Sequence, residues 1–325
     1  MSAEFVRFLR IVGRGPRLSR PLTREEARAA MSLILAGRVE PAQLGGFLLV
    51  LRTRGETPEE IAGFVDAVRA TLPEDPALPV VLDWPSYADR HRRPPWFVLA
   101  ALLVARAGVR VLMHGLAGEG PATTRAALEA LGIVPARVPE EAGERLERDG
   151  FAYLPVERLA PAFARLFALR PVLGVRTAIH TAARALDPAR APFQVQGVFH
   201  PPYVALQVAV QRLLGRRAAV TLKGMGGEFQ CNPDKPVRVV VLDGGEPAER
   251  VWPAVPYAGP RHPWRDEPPE LAPLVALWRG EATLPGPEAA VIATAALALH
   301  AAGRADGPET AERLARELWA DRPRR

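Results

Sequence analysis

Cysteine is almost absent from this sequence. Cys231 is the only cysteine among 325 residues, which excludes a disulfide framework and a zinc site built from several thiolates. We therefore expect a reducing compartment and a cytoplasmic location.

Long hydrophobic runs are also missing. A membrane-spanning helix needs about 20 consecutive apolar residues, whereas the longest run here, Trp96–Ala105, stops at Arg106. Arginines are spread through residues 1–20, which is not typical of a signal peptide. The sequence therefore predicts no membrane partner.

Lysine is scarce, and arginine supplies most of the positive charge. Lys223 and Lys235 are the only lysines among 42 basic residues, which stand against 36 acidic residues and leave a net charge of +6. The charge is segregated, because residues 158–227 contain ten basic side chains and a single acidic one, Asp187. A segregated positive potential attracts polyanions. Alternatively, these arginines point in several directions and are only solvated.

Helix-start signals divide the first 72 residues. Thr23–Glu26 and Thr57–Glu60 are both capping boxes, in which the threonine and glutamate side chains satisfy free N–H groups at a helix start. Apolar residues follow each box at helical spacing. We predict a helical N-terminal domain over residues 1–72, with helices from about 158–186 packing on it.

Strands and helices alternate in the following part of the chain. Short apolar segments are predicted as strands at 80–82, 109–113, 193–198, 218–222 and 237–242. Helical patterns lie between them, and this alternation favours a mostly parallel sheet covered by helices. The predicted fold class is α/β, with a small N-terminal helical domain and a larger α/β domain over residues 77–325. Its C-terminal part is predicted as a loop at 244–270 and helices at 270–279, 288–302 and 308–320.

One basic run lies beside aromatic residues after the first predicted strand. The run is Arg90, His91, Arg92 and Arg93, and its aromatic neighbours are Trp84, Tyr87 and Trp96. Arginines contact phosphates and aromatic rings stack on unpaired bases, so the pattern is typical of single-stranded nucleic-acid binding. Alternatively, the run is a solvated loop and both tryptophans pack inward.

Several motifs follow one another in a recognisable order. They are Leu22–Ala27, Leu44–Phe47, Gly55–Thr57, Val111–Gly115, Leu128–Ile133, and Arg170 followed after five residues by Arg176 and Thr177. Together they resemble glycosyltransferase family 3, and in particular the anthranilate phosphoribosyltransferases. The resemblance implies a helical domain and an α/β domain with a cleft between them. It also implies a homodimer formed through the helical domain.

The sequence departs from that family where the enzymes bind phosphoribosyl pyrophosphate. The family has a glycine-rich loop there, whose backbone N–H groups cradle the pyrophosphate, whereas the matching segment here, Asp83–Arg93, contains no glycine. The family also holds magnesium with an Asp-Glu pair. Glu228 remains, but Gly227 stands at the aspartate position. One carboxylate is a poor site for Mg²⁺, so we expect no cofactor and no metal site, with Glu228 as the one candidate ligand.

Three further motifs, Gly13–Gly15, Pro85–Tyr87 and Gly174–Thr181, resemble one branch of the family, the YbiB type. That branch is understood to bind nucleic acid without sequence preference and to lack transferase activity. The resemblance implies a non-catalytic homodimer here, with single-stranded DNA or RNA as its partner. The candidate contacts, several of which we expect to line the cleft, are Tyr87, Arg90, His91, Arg92, Arg93, Arg170, Arg176, Arg184, Arg190 and Lys223.

Two alternatives stay open. In the first, the chain is a phosphoribosyltransferase whose phosphate-binding loop is altered, and the enzyme would bind phosphoribosyl pyrophosphate with Mg²⁺. In the second, the chain binds some other small anion or nucleotide, and its basic surface is incidental.

Overall fold

A computed structural model describes residues 3–15, 17–73, 78–88, 93–118 and 120–323. These residues form an N-terminal helical unit and a seven-stranded sheet that is flanked by helices. The helices are α1 (Ala3–Val12), α2 (Arg24–Leu35), α3 (Pro41–Arg54), α4 (Pro58–Arg69), α5 (Phe97–Arg106), α6 (Thr124–Ala130), α7 (Pro139–Asp149), α8 (Val156–Leu159), α9 (Pro161–Ala164), α10 (Leu169–Leu173), α11 (Ala178–Arg184), α12 (Pro202–Leu213), α13 (Ala272–Arg279), α14 (Pro285–Ala301) and α15 (Pro308–Ala320). Short 3₁₀ turns occupy Arg165–Ala168 and Met225–Gly227.

Both predicted capping boxes begin helices. At the start of α2 the Thr23 hydroxyl accepts from the N–H of Glu26, and at the start of α4 the Thr57 hydroxyl accepts from the N–H of Glu60. Each glutamate carboxylate accepts in return from the N–H of its threonine, at 2.9 Å in both cases. Two otherwise free N–H groups are thereby satisfied at each helix start.

The apolar core of the helical unit is built from sequence-distant segments. Phe5, Phe47 and Phe64 are fully buried at its centre. Buried residues of α8–α11, including Phe163 and Ile179, belong to the same cluster. The first four helices and residues 156–186 therefore share one core.

The central sheet has the strand order β3-β2-β1-β4-β5-β6-β7. The first five strands in this order are parallel, and β6 and β7 are antiparallel additions at one edge. The strands are β1 (Leu82–Ser86), β2 (Val111–Gly115), β3 (Phe151–Pro155), β4 (Phe193–Val198), β5 (Ala218–Lys223), β6 (Val237–Asp243) and β7 (Glu246–Trp252). The predicted mostly parallel sheet is confirmed. The prediction of a loop over 244–270 is wrong for the first part of that stretch, which forms β7.

Helices cover the sheet on both sides. Helix α5 is buried along its length, and α14 contributes the largest run of buried residues to the same core, Ala289–Leu299. Helices α13–α15 lie close to their predicted limits. None of the helices in the described ranges is both long and apolar enough to cross a membrane.

The strand directions give the sheet two distinct edges. The carboxyl ends of β1, β4 and β5 lie together at one edge, here called the carboxyl edge, and their amino ends lie at the opposite amino edge. The strand order reverses between β1 and β4. Ligands of open α/β sheets bind outside the carboxyl ends at such a reversal, so this position is the first place to look for a site.

Candidate functional site

A cleft lies between the helical unit and the carboxyl edge of the sheet. Arg52 and Glu56 line it from the end of α3, while Phe199 and His200 line it from the segment after β4. The remaining wall comes from the α10–α12 region and includes Arg170, Arg176, His180, Arg184 and Tyr203. The cleft therefore collects positive charge at the edge where this fold class binds ligands.

Arg170 and Arg176 are placed by a sharp break between α10 and α11. Gly174 ends α10 in a left-handed conformation with φ of 72°, which a residue without Cβ adopts at no steric cost. Arg176 lies beyond this turn and donates to the carbonyl oxygen of Ala88, just after β1. The predicted pair of arginines thus lies in the cleft on a turn, with both side chains partly exposed.

The pKa of His180 reflects the positive charge around the cleft. Its ring is buried against Phe167, and its Nδ1 accepts from the N–H of Thr177 at the start of α11. Burial, followed by the positive charges of Arg176, Arg184 and Arg170, lowers the pKa of His180 from 6.5 to about 3. The imidazole is therefore neutral at physiological pH, and its surroundings favour an anion over a cation.

One oxygen of a carboxylate inside the cleft is bonded by two neighbouring hydroxyl groups. Glu56 Oε1 accepts from the hydroxyl of Thr181 at 2.7 Å and from that of Tyr203 at 3.3 Å. Arg52 in turn donates to the Tyr203 hydroxyl at 2.7 Å. This network joins α3 of the helical unit to α11 and α12, so it fixes the shape of the cleft.

Arg184 was predicted to contact nucleic acid, and its burial makes that prediction wrong for a polymer. The side chain is 8% exposed. Its guanidinium donates to the carbonyl oxygens of Gly197 and His180 at 3.1 and 2.8 Å. Arg184 therefore forms part of the cleft wall, where it holds α11 to β4.

The prediction for Tyr87 is also wrong. Its ring is 1% exposed and stacks on Phe167, and its hydroxyl lies 2.8 Å from Nδ1 of His114. Burial raises the pKa of Tyr87 well above its ordinary value. Trp84 and Trp96 are likewise buried in the core, so the interpretation in which the tryptophans pack inward is the one that holds. None of these three rings is available for stacking on a base.

Glu228, the candidate metal ligand, is engaged by the segment after β1. Its Oε1 accepts from the N–H of Ala88 at 2.7 Å, and the hydroxyl of Ser86 bonds to the same carboxylate. Burial raises its pKa, although the positive charge of Arg184 opposes this effect. The described residues contain no group of three or more His, Cys, Asp or Glu side chains that could hold a metal ion. Glu228 thus offers Mg²⁺ a single carboxylate that already accepts hydrogen bonds, which is a poor site for that ion.

Gly227, at the position of the missing aspartate, has a left-handed backbone and close neighbours. Its φ is +92°, and a Cβ there would lie 3.1 Å from Cβ of Phe199 and 3.4 Å from Cβ of Ala88. An aspartate at this position would meet both a strained backbone and a crowded neighbourhood. The backbone conformation at this position therefore favours the glycine that the sequence has.

Further positive charge continues from the cleft along the carboxyl edge. Lys223 is exposed at the end of β5, with its Nζ 5.9 Å from the ring centre of Phe199. Burial, then the charges of Lys235 and Arg93, lower its pKa. We call Arg170, Arg176, Lys223, Arg93 and Lys235 the basic row.

The other predicted contacts are Arg90, His91, Arg92 and Arg190. Arg90, His91 and Arg92 lie outside the described residues. Arg190 was expected to line the cleft, and this is wrong, because it lies at the amino edge of the sheet beside Arg69. The 158–227 arginines are therefore divided between two edges of the sheet.

Sequence reasoning missed Arg52, Glu56, Thr181 and Tyr203 as cleft residues. Glu56 and Thr181 lie within motifs that carried the family resemblance. Arg52 also lies in a segment of that resemblance, Leu51–Arg52. Tyr203 gave no signal, because it meets Arg52 only in the folded chain, across about 150 residues of sequence.

Two family models match the chain. The helical bundle domain of a glycosyl transferase family matches residues 6–72, and the a/b domain of that family matches residues 98–252. The chain belongs to this glycosyl transferase family. Its members most similar to the chain include anthranilate phosphoribosyltransferases, so the resemblance inferred from the motifs is confirmed.

Two curated relatives of the chain show how far the family match extends. The anthranilate phosphoribosyltransferase of Desulfitobacterium hafniense (strain Y51) is 34% identical over 215 residues, which is 66% of this chain and 64% of the relative. The chain thus matches less than two thirds of that relative's length. The uncharacterized protein YbiB of Escherichia coli (strain K12) is 28% identical over 249 residues, or 74% of this chain and 77% of the relative.

Solved structures of the family share the whole fold. Anthranilate phosphoribosyltransferase (TrpD) from Thermus thermophilus superposes with a TM-score of 0.78 at 31% identity, over 93% of this chain and 92% of that one. The Saccharomyces cerevisiae enzyme, solved in complex with PRPP and Mg, has a TM-score of 0.74 over 98% and 95% of the two chains. Its identity is 16%, so this likeness concerns the fold alone. The phosphoribosyltransferase-like fold is established.

Proposed function

We propose that this family member binds single-stranded nucleic acid, DNA or RNA, without sequence preference and without catalysing phosphoribosyl transfer. The observation that carries the proposal is the basic row, which extends from the cleft along the carboxyl edge to Lys223 and Lys235. A small ligand needs a compact site, whereas a row of separated cations suits a chain of phosphates.

Two acidic residues near the row, Asp234 and Glu267, accept hydrogen bonds from other side chains of the protein. Asp234 accepts from the hydroxyl of Tyr257 at 2.5 Å and from Nε1 of Trp264 at 2.9 Å. Glu267 is buried and accepts from Nε1 of Trp96 at 2.9 Å. Hydrogen bonds from neutral donors do not cancel the charge of these two carboxylates, but the five basic side chains of the row outnumber them, so the net potential attracts phosphates.

The segment after β1 supports a non-catalytic function. In a transferase of this family the matching loop binds pyrophosphate, whereas here the N–H of Ala88 is spent on Glu228 and its carbonyl oxygen on Arg176. The same contacts occupy the carboxylate that remains of the metal pair.

Titration of a labelled 20-nucleotide single strand, followed by fluorescence anisotropy at 50 and 200 mM NaCl, tests the proposal. We expect affinity to fall steeply with salt. The double variant Lys223→Gln/Arg93→Gln should bind more weakly and lower the slope of log K against log salt by about 1.4, since each phosphate contact on a single strand contributes about 0.7.

The matched control removes two exposed charges elsewhere. Arg313 and Arg316 on α15 are 71% and 44% exposed, so Arg313→Gln/Arg316→Gln changes net charge by the same amount without touching the row. Equal losses in the control and in the row variants would show only a general charge effect. Absence of binding at 50 mM salt would refute nucleic-acid binding.

The second candidate is phosphoribosyl transfer, which the relatives favour more directly than nucleic-acid binding. The specific observation in its favour is that the cleft keeps Arg170, Arg176 and Arg184 together, as a site for an anionic substrate requires. Calorimetry with phosphoribosyl pyrophosphate and Mg²⁺, followed by assay of pyrophosphate release with anthranilate, decides between them. Binding together with release would establish the transferase and refute the proposal of a non-catalytic protein.

We also propose a homodimer formed through the helical unit. Leu49 of α3, Val172 of α10 and Val175 are 38%, 76% and 39% exposed, and α3 and α10 lie side by side, since a Cβ on Gly45 would be 3.6 Å from Leu173. Exposed apolar residues grouped on one surface favour a partner. Sedimentation of the chain and of Val172→Asp tests this, and a monomeric parent chain would refute it.

A further inference from the structure

A second basic cavity lies at the amino edge of the sheet. Arg69 and Arg190 line both this cavity and an open space that adjoins it. We call the two together the amino-edge cavity. Its walls come from α4, from the turn before β4 and from the turn before β5. It shares no described lining residue with the cleft.

Two buried guanidinium groups in this cavity share one carboxylate. Arg69 is 11% exposed with Nη2 3.6 Å from Oδ2 of Asp187, and Arg216, 8% exposed, forms an ion pair with the same oxygen. Arg69 also donates to the carbonyl oxygen of Leu186 at 2.7 Å, and Arg216 donates to that of Ala191. Buried charges need compensation, and Asp187 supplies one negative charge for two positive ones.

The two other carboxylates near the cavity, those of Asp83 and Asp66, already have hydrogen-bond or ion-pair partners. Asp83 is fully buried behind the cavity, where its Oδ2 accepts from Gln194 at 2.7 Å and its Oδ1 lies 3.1 Å from Nε2 of His114. Asp66 forms a two-point ion pair with Arg24 at 2.6 and 3.0 Å. These carboxylates therefore leave the cavity itself positive.

The rim of the cavity adds unpaired cations. Arg190 and Arg217 are exposed, and neither guanidinium has a hydrogen bond or an ion pair among the described residues. In the adjoining space Arg28 is exposed with Glu25 nearby, so their charges offset each other. The excess positive charge is thus concentrated where Arg69, Arg190, Arg216 and Arg217 meet.

Backbone strain marks the same turn. Asp187 and Arg190, with φ of 36° and 50°, are the non-glycine residues of the described chain that have positive φ. The N–H of Arg190 donates to the carbonyl oxygen of Asp187 at 3.3 Å, which closes the turn. Such conformations cost free energy and cluster at ligand-binding sites.

We propose that the amino-edge cavity binds a small oligophosphate, meaning an anion with two or more phosphate groups. Arginine guanidinium groups from three segments line the cavity, and their planar arrangement of N–H donors suits the oxygens of phosphate. Four guanidinium groups line this one cavity, two of them largely buried, so its positive charge is compact and suits a small anion with two or more phosphate groups. The site is separate from the basic row and goes beyond the proposed nucleic-acid binding.

Calorimetry of the full chain with inorganic pyrophosphate, without added metal, tests this inference. The variant Arg190→Gln/Arg217→Gln removes two exposed, unpaired charges, so it should fold as the parent chain does. Each lost contact between a guanidinium and phosphate should weaken pyrophosphate binding about tenfold. The control Arg170→Gln removes a charge from the cleft and should leave this binding unchanged.

The outcomes separate this site from the proposed function. Weaker pyrophosphate binding by Arg190→Gln/Arg217→Gln, with unchanged affinity for the labelled single strand, supports the site. The inference is overturned by absence of pyrophosphate binding, or by a loss confined to Arg170→Gln, which would place the anion in the cleft. It is also overturned if affinity for the single strand falls as far as that for pyrophosphate, because the cavity would then be part of the nucleic-acid surface.

Discussion

Acidification should destabilise this protein through His180. Burial and three neighbouring guanidinium groups lower its pKa from 6.5 to about 3 in the folded chain. Between these two values the unfolded chain takes up a proton that the folded chain refuses. The stability that depends on neutral His180 is therefore present above pH 6.5 and is lost as pH falls toward 3.

The size of the effect follows from the two pKa values. At pH 8 both states leave His180 neutral, whereas at pH 5 the unfolded chain is almost fully protonated, which lowers the free energy of unfolding by about 2 kcal/mol. With a urea m-value of about 3 kcal/mol/M, the unfolding midpoint should fall by about 0.7 M. Other groups titrate over the same range, so the quantity to compare is the difference between the parent chain and a variant.

His180→Asn is the matched variant. Asparagine keeps an acceptor for the N–H of Thr177, which His180 Nδ1 bonds at 3.3 Å, but it does not titrate. Urea unfolding at pH 8 and pH 5 should show the extra loss in the parent chain alone. Equal losses in the two proteins would refute the reasoning. NMR titration of the imidazole offers a second measurement, because a phosphate chain bound beside Arg170 and Arg176 should raise the pKa of His180.

Three further expectations concern the segment around Glu228. Gly227→Asp should lower the free energy of unfolding by about 2 kcal/mol. Gly226→Asp should lower it by only about 1 kcal/mol, because a Cβ at Gly226 would meet no atom within 4 Å. Equal urea midpoints for the two variants would contradict this. Tyr87→Phe should cost about 1–2 kcal/mol, since it leaves a buried nitrogen of His114 without its partner, and should not change affinity for a single strand; weaker binding would mean that the ring contacts the ligand. Because burial raises the pKa of Glu228, Glu228→Gln should gain stability relative to the parent chain as pH rises above 4.5, and a pH-independent difference in urea midpoint would disprove it.

Helix starts were predictable because their signals are local. The boxes at Thr23 and Thr57 place a cap and its return partner three residues apart, so neighbouring residues alone decide the hydrogen bonds. Strand β7 was not predictable in this way. It contains Glu246, Glu249 and Arg250 and is mostly exposed, so it has no apolar run, and it becomes a strand only by pairing with β6.

The family was predictable from short motifs, but the arrangement of the basic side chains was not. Spacing indicated correctly that Arg170 and Arg176 lie near one another in a cleft. The same reasoning placed Arg184 and Arg190 beside them, although α11 runs from one edge of the sheet toward the other. Arg184 is consequently buried against β4, and Arg190 lies at the amino edge.

The sequence by itself determined the fold class, the helix starts, the family and the loss of the glycine-rich loop, because each of these depends on residue type at short spacing. The tertiary structure decided which charges face a ligand. Tyr87 and Glu228 lie close to basic residues, but their side chains are already bonded to other groups of the protein. Arg69, Arg190 and Arg216 are distant in sequence yet form one cavity. Burial and the direction of a side chain depend on packing between distant segments, which no local pattern contains.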